Sequence, residues 1–141
     1  MNYLNALYEE AETSGIHIFF RDLRKRKAFC VRWESDHYVA IDKSKLKSER
    51  EEKSAVAEEM AHCQYGLMYR LEDYNNPLRL LNARKAETLA KRYAAKKIVP
   101  LDKLKEALRT YDDIYDVCEE LDVDLSTLET AINSYDLEGV L

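Results

Sequence analysis

Ser48-Glu49-Arg50-Glu51-Glu52-Lys53-Ser54-Ala55-Val56-Ala57-Glu58-Glu59-Met60-Ala61-His62-Cys63-Gln64-Tyr65-Gly66 is the stretch on which the fold turns. Ser48 followed three residues later by Glu51 is a capping box, in which the serine hydroxyl and the glutamate carboxylate satisfy the free N–H groups of a helix start. Ala55, Val56, Ala57, Met60 and Ala61 then recur at helical spacing, and Gly66 is a helix stop. The spacing predicts a helix over about 49–65 at the centre of the molecule.

Upstream, Leu4, Leu7, Tyr8 and Ala11 fall at i, i+3, i+4 and i+7, predicting a helix over about 2–14 that ends at Gly15. Three β-rich pieces follow at Ile16–Phe20, Ala28–Trp33 and Tyr38–Ile41, with Glu34-Ser35-Asp36 as a hairpin turn between the last two. The simplest assembly is a small three-stranded antiparallel sheet. So small a sheet needs helices over its apolar face.

Downstream, Asn76-Pro77 reads as an N-cap with proline in the first turn, opening a helix over about 78–97 that must end before Pro100. Shorter helices are expected near 101–110 and 113–121. Ser126 with Glu129 reads as a second capping box for a last helix to about 135. The fold class is α+β and helix-rich, with residues 1–110 forming the main domain and 111–141 a helical extension packed on it.

The 141 residues are 46% apolar, enough for one core, and 35% charged, with apolar residues spread from end to end, which excludes intrinsic disorder. No apolar run approaches the roughly 18 residues that span a bilayer, and Met1-Asn2-Tyr3-Leu4 lacks the layout of a secretory signal, so a cytoplasmic protein is expected. Cys30, Cys63 and Cys118 form no CxxC and leave one unpaired under any scheme, which fits a reducing compartment. Residues 79–105 carry nine Lys/Arg against two acids, and 106–141 carry one Arg against eleven acids, so a dipolar molecule is expected. Residues 117–132 have a helix-turn-helix rhythm, but the second helix lacks Lys and Arg, and direct nucleic-acid binding is not expected. The three glycines form no phosphate cradle, so no organic cofactor is implied.

Glu58 and His62, at i and i+4, lie one turn apart on one helix face with Glu59 beside them. This is the spacing of the zinc-protease motif H-E-x-x-H with glutamate for the first histidine, and carboxylate oxygen is an acceptable zinc ligand. The other reading of these residues is a solvated helix carrying a core histidine. His37, Tyr69 and Tyr74 are candidate transition-state donors. Cys63, about 100° round the helix from His62, is expected in the core.

The order of parts resembles the ImmA/IrrE family of phage and mobile-element metallopeptidases. The N-terminal helix, the sheet ending in Tyr38-Val39-Ala40-Ile41-Asp42 and Ala55–His62 resemble its short phage-type members, in which Glu-Glu-x-x-His stands for His-Glu-x-x-His. Glu87–Ala94 with Ile98-Val99-Pro100-Leu101 is similar to the family's second helix, and Ile114–Val123 to its C-terminal segment. The resemblance implies a zincin-like core, with Glu58, His62 and Glu87 as ligands of Zn2+ and Glu59 as general base. It implies cleavage of a peptide bond in a helix-turn-helix repressor. Glutamate at 58 adds negative charge around the metal, which lowers its Lewis acidity and favours a harder ion such as Mn2+. The alternative is a relative that binds a regulator without cutting it.

Overall fold

The computed structural model describes residues 3–66 and 76–141. Helix α1, Tyr3–Thr13, buries Leu4, Leu7 and Ala11 and ends at Gly15, whose φ of 77° is the left-handed conformation that glycine adopts at a helix end. Strands β1 (Ile16–Phe20), β2 (Ala28–Trp33) and β3 (Asp36–Ile41) follow. The β2–β3 hairpin turns through Glu34 and Ser35, with Asp36 already in β3.

The sheet is mixed, not antiparallel, which corrects the expectation from strand order. The spatial order is β1-β3-β2, with β3 antiparallel to β2 but parallel to β1, Ile16 opposite His37 and Phe20 opposite Ile41. The reason lies in β3, whose Val39, Ala40 and Ile41 are fully buried. The central position shields both faces and both edges of this strand, so the 21–27 connection carries the chain past its end and β2 enters on the far side. Ile18, Val39 and Cys30 share the face turned to the core, and Phe19, Ala40 and Phe29 the outer one.

Asp42 holds that connection in place. Its buried carboxylate accepts from the backbone N–H of Leu23 (2.9 Å), from the N–H and hydroxyl of Ser44, and pairs with Lys45 (3.3 Å). The Asp42 N–H donates to Lys27 O at 2.8 Å. The Ser44 hydroxyl first, then the Leu23 amide, lower the Asp42 carboxyl to about 2.

Helix α2, Glu49–Gln64, starts at Ser48, whose hydroxyl accepts from Glu51 N–H, while Glu51 reaches back to Lys47 N–H. Val56, Ala57, Met60, Ala61 and Cys63 are buried. Helix α3, Pro77–Ile98, is capped by the Asn76 side chain, packs on α2 and α6, and buries Ala83, Ala90, Ala94, Ala95 and Ile98. Leu7, Ile16, Val39, Ile41, Val56 and Met60 are fully buried, each contributing about 1.5–3 kcal/mol.

Helices α4 (Leu101–Thr110), α5 (Ile114–Leu121) and α6 (Leu125–Leu137) add Leu104, Ala107, Val117, Cys118, Leu128, Ala131 and Tyr135 to the same core. Ser126 and Glu129 form no capping box: α6 begins two residues earlier than that box would start it, after Asp124, which places Ser126 inside its first turn. The α5–α6 turn is locked to α2 by Asp122, in the left-handed conformation, which accepts from Arg50 and from the buried Lys53. Lys96 of α3 pairs with Glu138 beyond α6, so the basic and acidic runs lie side by side. Among the described residues no helix is long and apolar enough to cross a membrane.

Asp42 yields a prediction. Because its carboxyl is lowered below the ordinary 3.8, the stability it confers is complete above about pH 4 and disappears as pH falls toward 2. Thermal melts from pH 6 to pH 2 are expected to show a steeper acid loss for the wild-type chain than for Asp42→Asn, which starts lower. Parallel curves for the two would refute the clamp.

Candidate functional site

One face of α2 is polar yet half-covered. Glu51, Ser54, Ala55, Glu58, Glu59 and His62 recur at helical spacing along about 16 Å of the helix and line a cleft of about 530 Å³. Its other walls are Arg26 and Lys27 from the β1–β2 connection, Ala28, Phe29 and Cys30 of β2, and Glu87 and Lys91 of α3. Because β2 is an edge of the sheet, its outer backbone groups carry no strand partner among the described residues.

All four residues of the anticipated constellation are in this cleft. His62, buried to 7% side-chain exposure, places Nε2 3.1 Å from Oε2 of Glu87, contributed by α3 from 25 positions along the chain. Helices α2 and α3 pack on one another, and Ala57 and Ala61 of α2 and Ala90 and Ala94 of α3 are nearly fully buried. Glu58 and Glu59 lie one turn before His62 in the same cleft. As the side chains are placed, no group of three His, Cys, Asp or Glu among the described residues stands close enough to hold a metal ion.

Burial dominates the electrostatics of the two glutamates. It raises the Glu58 carboxyl, with Lys91 the main opposing influence and Glu87 adding to the rise. Burial lifts Glu59 to about 7, against the pull of His62 and with Glu87 and Glu58 pushing the same way. Burial thus moves the Glu59 carboxyl toward neutrality, the range in which a carboxylate serves best as a general base.

The other sequence candidates lie elsewhere. His37 sits at the start of β3, opposite Ile16 and Arg32, at the end of the sheet away from the Ala28–Cys30 wall. His17 is on the outer sheet face, 3.2 Å from Asp36 and stacked on Tyr38. Tyr65 stacks on Tyr93 at 4.1 Å, outside the cleft lining. Tyr69 and Tyr74 lie outside the described residues. Cys63 is in the core as expected, its thiol pushed up by a hydrogen bond with Cys30 and by burial. Sequence reading missed the cations: Arg26, Lys27 and Lys91 all line the cleft, and Lys27 pairs with Glu51. The signal was the basic run Arg24-Lys25-Arg26-Lys27 between two strands, which only the crossed connection turns toward α2.

No family model, no characterised protein and no solved structure matches this chain.

The raised Glu59 carboxyl has a measurable consequence for the metal-free chain. Between the ordinary carboxyl value near 4.5 and about 7 the folded state keeps a proton that the unfolded state releases, so ionisation costs stability increasingly across that window and fully above it. Glu59→Gln is expected to melt higher than wild type above about pH 7, the gap closing toward pH 4 to 5. A constant gap from pH 5 to pH 9 would contradict this assignment.

Proposed function

We propose that the chain is a metal-dependent endopeptidase with a zincin-like core, acting on a protein segment presented in extended form. The observation that carries this reading is the 3.1 Å approach of His62 and Glu87 beside Glu58 and Glu59. Two donors about 2.0–2.1 Å from one ion in tetrahedral geometry stand about 3.3 Å apart, so the imidazole and carboxylate fit a shared ion. Glu58, one turn before His62 on the same face, completes the set by rotating about its side-chain bonds.

Zn2+ there, or Mn2+ with this carboxylate-rich set, supplies Lewis acidity toward the scissile carbonyl and the attacking water. The chain's own residues do the rest. Glu59 takes a proton from water as its oxygen bonds to the carbonyl carbon, then returns it to the amine as the C–N bond breaks. The unpartnered edge of β2 gives an extended peptide backbone groups to pair with along the cleft. The resemblance to ImmA/IrrE peptidases supports a helix-turn-helix repressor of a phage or mobile element as the substrate, met in the cytoplasm. Three free thiols suit that compartment.

A second reading keeps the cleft but not the cleavage. Glu58 stands where the resembling family has histidine, and such a relative would bind the regulator uncut.

Metal content measured by elemental mass spectrometry on untagged protein tests the first step. About one zinc or manganese per chain is expected, lost in His62→Ala and in Glu87→Ala. Glu59→Gln is expected to keep the metal, to bind a repressor substrate and not to cleave it. A wild-type chain that takes up no metal from excess zinc would sink the peptidase reading, and equal cleavage by Glu59→Gln would sink the role of Glu59.

A further inference from the structure

Attack of water on a peptide carbonyl moves the carbonyl electron pair onto oxygen, and a hydrolytic site needs a donor or cation aimed at that charge. The sequence candidate His37 is at the wrong end of the sheet. The cleft does contain three cations, Arg26, Lys27 and Lys91. Lys27 is committed to Glu51, and Lys91 acts on Glu58. Arg26, which among the described residues makes no ion pair to a cleft carboxylate like that of Lys27, lines the same cleft as Glu59, the group beside which water would be activated.

The backbone under Arg26 is held from both sides. Its carbonyl accepts from Lys45 Nζ at 3.3 Å, and the next carbonyl, Lys27 O, accepts from Asp42 N–H at 2.8 Å. Asp42 in turn grips Leu23 N–H and Lys45. A clamped loop thus places an exposed arginine in the lining of the cleft that α2 also lines. Guanidinium suits the task because it stays charged at all relevant pH and offers several N–H donors in one plane.

We propose that Arg26 is a catalytic residue that donates to the oxyanion formed when water adds to the scissile carbonyl. The oxygen of water bonds to the carbonyl carbon, its proton passes to Glu59, and the displaced electron pair rests on the oxygen facing Arg26. When the pair returns, the C–N bond breaks and the amine leaves with the proton from Glu59. This assignment rests on the peptidase reading.

The test uses the full-length zinc-loaded chain against a random-sequence peptide library, followed by rates on the best-cleaved peptide. Arg26→Met is expected to lower kcat about 10²- to 10³-fold with KM changed by less than about threefold, and Arg26→Lys to recover part of the loss. Inorganic phosphate, a tetrahedral oxyanion, is expected to bind the zinc-loaded Arg26→Met chain more weakly than wild type in calorimetry, with zinc stoichiometry unchanged. Wild-type cleavage with undiminished kcat and phosphate affinity in Arg26→Met would overturn the assignment and leave the peptidase reading standing. A wild-type chain that cleaves nothing in the library would overturn both.

Discussion

The packing of α2 against α3 is the constraint on which the rest of the molecule depends. Small side chains let helices approach closely, and both helices carry buried alanines, Ala57 and Ala61 on α2 and Ala90 and Ala94 on α3. Without it Glu87 would not reach His62, and the polar face of α2 would open to solvent. With it, α2 has two different sides. Val56, Met60 and Cys63 close the core, while Glu58, Glu59 and His62 face a cleft narrow enough to strip part of their water. The same packing that stabilises the helix pair makes its carboxylates hard to ionise.

The two walls of the cleft are built differently. On one side the functional side chains stand on long helices, whose geometry is set by backbone hydrogen bonds and packing. On the other, Arg26 and Lys27 sit on a connection without regular structure, positioned by the buried carboxylate of Asp42. Charge is balanced across the gap: acids come mainly from α2 and α3, and two of the three cations from the loop. The half-buried acids are therefore partly compensated at a distance, which moderates the cost of gathering four carboxylates in one place.

Most helices were legible from residue order because their signals are local. Ser48, Asn76, Gly15 and Pro100 punctuate the chain by capping or breaking hydrogen-bond ladders within a turn or two, and they do so where expected. The α+β class and the central place of α2 followed from the same signals. Sheet topology did not, because β1 joins β3 through pairings some twenty residues apart, and nothing near Ile16 marks its partner. The site divides along the same line. The spacing of Glu58, Glu59 and His62 is local to one helix, Glu87 entered through resemblance alone, and Arg26 and Lys91 belong to the cleft only once three elements have packed. Ser126 and Glu129 are the instructive miss, a local motif set aside because the helix already starts two residues earlier, after Asp124.

The mixed sheet also orders events in time. The β2–β3 hairpin closes through a two-residue turn and can form early, whereas β1 joins β3 only after the chain has looped past the end of that strand. Until then the β1 side of β3 is bare, and the 21–27 loop is anchored only at its Lys27 end, by the Asp42 N–H that continues the hairpin. The cleft wall bearing Arg26 and Lys27 is thus tied to the hairpin, while the Arg21 end of the same loop, whose N–H donates to Ile41 O, belongs to the later β1 pairing.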